Sequence, residues 1–65
     1  MRIDSIKIKL LMAEQGITQT VLADRCGVSR QNISQALARG TCSTVKLGKL
    51  AGALGVSVRE IIKEE

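Results

Sequence analysis

The chain contains no histidine, no proline and no aromatic residue, and only two cysteines in 65 positions. Each absence closes off a class of chemistry. Without His there is no imidazole acid–base catalysis and no Cys/His zinc site. Without Phe, Tyr or Trp the core must be built from Ile, Leu, Val, Met and Ala, which points to a helical miniature. Cys26 and Cys42 allow at most one bridge, whereas disulfide-stapled secreted domains of this size usually carry two to four. No apolar run approaches the ~20 residues needed to cross a bilayer. Asp4, Lys7 and Lys9 interrupt the early apolar residues where a signal peptide would be continuous. The expectation is a soluble cytoplasmic protein with reduced thiols and no membrane partner.

Length sets a further bound. Sixty-five residues make one domain, 1–65, and such a chain buries only ~60% of the surface its unfolded form exposes. That leaves little room for an enclosed catalytic pocket. No nucleophile–base pair is present, and Glu14 and Asp24 have no carboxylate partner in the sequence. The expectation is a non-enzyme with no cofactor, no metal and no small-molecule ligand.

What is present is positive charge, unevenly placed. The net charge is +4, and after Asp24 no acidic residue occurs until Glu60. Arg25, Arg30, Arg39, Lys46, Lys49 and Arg59 fall in or beside that interval without a local counter-ion. Gathered on one side, they suit a polyanion; scattered, they only aid solubility. A lipid surface is disfavoured because no helix pairs a basic face with aromatic anchors.

Punctuation divides the chain into five apolar-periodic pieces, an all-α architecture. Asp4 caps a first helix that runs to Gln15 and stops at Gly16. Ile8, Leu11, Met12 and Gln15 share one face, and Ile3, Ile6, Leu10 and Ala13 form a second apolar face. Thr18 caps a second helix, Gln19 to Cys26, with Leu22, Ala23 and Cys26 inward and Gly27 after it. Ser29 caps a third, to about Ala38, with Ile33, Ala36 and Leu37 inward. Arg39 to Cys42 read as a loop. Ser43 or Thr44 opens a fourth helix through Leu54, in which Leu47, Leu50, Ala51 and Leu54 face the core. Gly48 and Gly52 on that helix suit close packing, inside the domain or across a dimer. Ser57 and Glu60 read as a capping box opening a last helix that contains Ile61 and Ile62. No stretch alternates strongly enough to be a strand.

Residues 18–38 carry the informative unit. Ala23 lies where the third helix must cross, Gly27 where the chain turns sharply, Val28 anchors the turn and Ile33 pins the next helix from beneath. Together with Leu22 these spacings make a helix-turn-helix signature. The far side of the third helix carries Arg30, Gln31, Ser34 and Gln35, with Asn32 at its edge, and no acid. Gln reads adenine and Arg reads guanine bidentately in the major groove, so this face is the candidate base-reading surface. A generic polar face would more often mix Glu with Lys.

Residues 8–62 resemble the lambda-repressor-like (Cro-type) helix-turn-helix family. The resemblance rests on Ile17-Thr18-Gln19, Leu22-Ala23, Gly27-Val28-Ser29, Ile33 and Ala53-Leu54-Gly55-Val56-Ser57. It implies a compact five-helix DNA-binding domain whose third helix enters the major groove. By position, Arg30, Gln31 and Gln35 would address base edges. Gln19 and Ser29, with Thr18 at the same cap, would hold phosphates, and Arg39, Thr41 and Ser43 would touch the DNA backbone. Two departures stand out. Many members pair an Arg late in the first helix with a Glu ending the third; here those positions are Met12 and Leu37, so packing replaces an ion pair. The loop before Gly40 is also about one residue longer.

The expected partner is double-stranded DNA carrying a palindromic operator, bound by a homodimer that acts as a repressor. Compact regulators of this kind look like those of phages and mobile elements. Cys26 reads as a small core residue, and Cys42, in the loop, is a candidate oxidation sensor. The alternative is a protein-interaction adaptor, or an antitoxin-like protein, using Ile3, Ile6 and Leu10 as a self-association or partner surface.

Overall fold

Five short helices form because each apolar stretch opens at a side-chain cap, and the first four close at a glycine. The computed structural model describes residues 1–63; 64 and 65, the last two of the expected domain, lie outside the described residues. Helix α1 spans Ser5–Gln15, α2 Gln19–Cys26, α3 Arg30–Arg39, α4 Thr44–Leu54 and α5 Val58–Ile61. At the first four N-termini an extended residue accepts a hydrogen bond from the N–H three positions on. Asp4 accepts from Lys7 at 3.0 Å, Thr18 from Val21 at 3.3 Å, Ser29 from Asn32 at 3.2 Å and Ser43 from Lys46 at 3.2 Å. Each such cap contributes ~1 kcal/mol.

The turn between α2 and α3 depends on Gly27. Its φ of 71° lies in the left-handed region, which a Cβ makes costly. There its own N–H reaches Asp24 O at 3.2 Å, and the Val28 N–H reaches Ala23 O at 3.0 Å. This double closure satisfies the last carbonyls of α2 and reverses the chain in two residues.

The core follows the predicted spacings closely. Leu22, Ala23 and Cys26 of α2, Ile33, Ala36 and Leu37 of α3, and Leu47, Leu50, Ala51 and Leu54 of α4 are all buried, with Ile8 and Met12 of α1. Helix α2 packs against both α3 and α4, while α5 packs against α1 and α4. Met12 and Leu37 belong to the same apolar cluster, as packing in place of an ion pair requires. Three polar side chains tie helices together by capping distant carbonyls. Ser5 Oγ donates to Leu37 O at 2.7 Å, closing the end of α3. Gln15 Nε2 and Arg25 Nη1 donate to Leu54 O and Ala53 O, at 2.6 and 3.3 Å, closing the end of α4.

The structure corrects several readings at the chain ends. Ile3 is not on an outer face of α1: it is only 2% exposed and joins the core. The helical wheel does not extend to it, because Asp4 caps the helix and residues 1–3 are extended. That segment lies between two others. Ile3 N–H donates to Gly40 O and Cys42 N–H to Met1 O, at 2.8 and 2.9 Å on one side. On the other, Asp4 N–H donates to Ile61 O and Lys63 N–H to Arg2 O, at 2.8 and 3.1 Å. The pairings Arg2 with Thr41 and Ile3 with Ile62 are antiparallel bridges; no strand forms among the described residues.

Ile62 consequently leaves the helix. It caps α5 in extended backbone and pairs with Ile3, so α5 ends at Ile61. Ser57 does not form the expected box either. Its Oγ accepts from the Arg59 N–H, two residues on, and the Glu60 N–H bonds the Ser57 carbonyl instead. Helix α3 runs one residue further than predicted and takes in Arg39, with Gly40 as its left-handed cap. Gly48 and Gly52 face open space on α4, so no close helix packing inside the domain uses them.

Candidate nucleic-acid interface

Helix α3 is amphipathic in a way that fixes what it presents. Ile33, Ala36 and Leu37 anchor it to α2 and the core, so the opposite side must face outward. Arg30, Gln31, Asn32 and Gln35 are exposed there, while Ser34 is half-buried at the margin. No carboxylate lies on this helix. The surface therefore offers guanidinium, amide and hydroxyl groups without a competing anion.

Two shallow grooves border that face. The smaller, about 230 Å³, is lined by Ser29, Gln31, Asn32 and Gln35. The larger, about 390 Å³, lies between α3 and the start of α4 and brings Asn32, Gln35, Arg39, Thr41, Ser43 and Lys46 together. Thus the predicted base-reading residues Gln31, Asn32 and Gln35 meet the predicted backbone-contacting residues Arg39, Thr41 and Ser43 along one continuous surface. Arg30, Ser34, Thr18 and Gln19 line neither groove. Thr18 is exposed at the α2 cap, and Gln19 beside it is half-buried.

The backbone adds to what the side chains offer. Helices α3 and α4 are capped by Ser29 and Ser43, and the first turn of each leaves N–H groups and a positive dipole end for an anion. The loop joining these helices is held from behind by the extended segment 1–3, so Thr41 and Ser43 occupy defined positions.

Lys46 is the residue that sequence reasoning passed over as one cation among several. It is half-buried in the larger groove, and its Nζ donates to Asn32 Oδ1 at 3.2 Å. Its place three residues after the Ser43 cap was the available signal, since that spacing puts it on the first turn of α4. Arg25, by contrast, reaches from α2 to the Ala53 carbonyl in the last turn of α4 and serves the fold.

The thiols are free and quiet. Cys26 is buried, with Sγ 3.6 Å from Lys49 O, and burial pushes its thiol up against a smaller downward pull from Lys49. Burial also pushes the Cys42 thiol up, outweighing the amino terminus and Lys46, which lower it. A thiol held protonated is a poor oxidation sensor, so the reading of Cys42 as one finds no support in its surroundings.

A helix turned back sharply onto a second, with the second helix presenting polar donors and acceptors beside a cationic groove, defines a helix-turn-helix DNA-binding protein. A helix-turn-helix family model matches residues 8–61, and the chain belongs to that family, the lambda-repressor-like Cro/C1 type of non-catalytic DNA-binding regulators. Among solved structures it is similar to the restriction-modification controller protein C.AhdI from Aeromonas hydrophila. The two share 31% sequence identity over 86% of each chain, with a TM-score of 0.76. No curated protein matches it. No helix among the described residues is long and apolar enough to cross a membrane.

Proposed function

We propose that this protein is a sequence-specific transcriptional repressor that occupies a palindromic operator as a homodimer. The observation that carries this reading is the outward side of α3: Arg30, Gln31, Asn32 and Gln35 exposed on an acid-free helix. The chain acts as one domain, with 18–38 as its reading unit. Arg30, Gln31, Asn32, Ser34 and Gln35 address base edges, at ~1–3 kcal/mol of discrimination for each good bidentate pair. Thr18, Gln19, Ser29, Arg39, Thr41 and Ser43 hold phosphates, supplying most of the affinity and its salt dependence. The similar protein C.AhdI is described as a controller of a restriction-modification system, which supports a regulator of a small gene set of the mobile-element kind.

Two copies are needed because one such small module buries little DNA surface. Half-sites then lie about one helical turn, ~34 Å, apart. Selection from a random-sequence duplex pool at moderate salt tests the reading. Enrichment of a palindrome with that spacing supports it; no enrichment, with binding lost between low and physiological salt, leaves only charge and refutes it.

A second reading is favoured by one observation. Ile6 and Leu10 are 73% and 57% exposed on successive turns of α1. An adaptor or antitoxin-like role would use them to hold a protein partner, and Ile3, being buried, would not take part. An Ile6→Asp, Leu10→Asp double variant that binds operator DNA normally, as a dimer, removes these residues from the dimer interface.

A further inference from the structure

We propose that Lys46 determines which base Asn32 accepts, by locking the Asn32 amide with its NH2 group directed outward. This rests on the reading of α3 as the base-reading helix. An exposed Asn amide ordinarily turns over about its terminal torsion and presents either its oxygen or its nitrogen to a ligand. Here the Lys46 Nζ donates to Oδ1 at 3.2 Å, across 14 residues of sequence. An ammonium only donates, so its partner on the amide is necessarily the oxygen. The bond is charge-assisted, and turning the amide over would place NH2 against NH3⁺. The lock therefore removes one of the two presentations.

Position gives this consequence. Asn32 lines both grooves, the one it shares with Gln31 and the one it shares with Lys46 and Arg39. It stands on the shoulder between base-reading and backbone-contacting groups. Its own N–H is committed to the Ser29 cap, which fixes the helix turn that carries it. With Oδ1 held towards α4, the two Nδ2 hydrogens meet the DNA.

A donor pair seeks acceptors. In the major groove guanine offers O6 and N7, adenine N7 and thymine O4, whereas cytosine offers only its N4 donor. The base facing Asn32 is therefore selected against cytosine. Adenine remains admissible, because its N7 accepts from Nδ2 where cytosine has no acceptor. Lys46 retains two N–H donors for a phosphate oxygen, so the cation that meets the DNA backbone is also the positioning residue for the amide.

The test combines base preference with salt dependence. Asn32→Ala, selected against a random duplex pool, identifies the position that residue reads. Four duplexes differing only at that position are then titrated with the wild-type protein, Lys46→Met and Lys46→Arg. The wild type should bind the cytosine duplex on the order of tenfold more weakly than the best duplex. Lys46→Met should bring that ratio within about threefold, leave other positions unchanged and flatten the salt slope by about one. Lys46→Arg, which keeps a charged donor, should restore the discrimination. In the free protein, Lys46→Met should shift the side-chain NH2 resonances of Asn32, with thermal melts confirming that the variants fold.

Three outcomes overturn the proposal alone: Lys46→Met weakens all four duplexes equally, Asn32→Ala relaxes no position, or the Asn32 resonances do not move. A wild-type protein that enriches no motif overturns the reading of α3 itself, and the lock with it.

Discussion

Ile3 and Ile6 are chemically identical and three residues apart in sequence, yet the structure assigns them opposite energetic roles. Ile3 is 2% exposed and Ile6 is 73% exposed. Truncating Ile3 to Ala removes three buried carbons, worth ~0.8 kcal/mol each in transfer alone. A cavity term adds to this, and the usual range for Ile→Ala in a core is about 2–5 kcal/mol. Ile3 lies in a terminal segment that has some freedom to collapse, which places it near the low end, ~2.5 kcal/mol. For a domain of this size ~1 kcal/mol moves Tm by about 4–8 °C, so Ile3→Ala should lower Tm by ~10–20 °C. Ile6→Ala, at an exposed helix position, should change stability by less than ~0.5 kcal/mol. Thermal melts followed by circular dichroism at 222 nm, at two protein concentrations tenfold apart, provide the assay. A Tm effect of Ile6→Ala that grows with concentration would reveal self-association through that face. Equal Tm losses for the two variants at low concentration would refute the burial of Ile3 by the segments 40–42 and 61–63.

Other consequences are equally direct. Gln31→Ala should relax base preference at one position of each half-site, seen as a flattened column in a selected motif; equal losses on operator and random DNA would remove Gln31 from base reading. Arg39→Ala should weaken binding to all sequences alike and reduce the salt slope by about one, measured by titration at several salt concentrations. An unchanged slope would take Arg39 off the phosphate path. Burial raises both thiols above the ordinary 9.0, so the folded state holds their protons more tightly than the unfolded chain does. Stability owed to the neutral thiols is thus complete below that value and is lost as pH rises through the higher folded-state values. A Cys26→Ala, Cys42→Ala variant should show a shallower alkaline decline in denaturant melts, and an identical decline would count against the assignment.

Legibility in the sequence tracked the range of the interaction. Capping by Asp4, Thr18, Ser29 and Ser43, and the stops at Gly16, Gly27 and Gly55, are local events, settled within four residues, and all appear where spacing places them. The inward faces of α2, α3 and α4 follow from a single period. The burial of Ile3 does not, because it depends on an antiparallel pairing with Ile62 at the other end of the chain, and three extended residues carry no periodic signal. The same pairing draws Ile62 out of α5. The exposed side of α3 was readable as the complement of its core face. The contact between Asn32 and Lys46 was not, since it depends on how α3 and α4 are set against each other and on two flexible side chains.

The hydrogen bond from Lys63 N–H to Arg2 O closes the described chain into a ring without a covalent link. Its helices are built from contacts of short sequence separation, which form early, whereas the closing contacts span almost the whole chain. Closure entropy grows with the length enclosed, so seating residues 1–3 should be the late step of folding. The segment 40–42 leans on those residues, and it carries Thr41 towards Ser43 and the larger groove. The region that finishes folding last is therefore the one that shapes the proposed DNA-backbone contact. Amide exchange should show it as one opening unit: Ile3, Asp4, Cys42 and Lys63 losing protection together, ahead of the amides of α2.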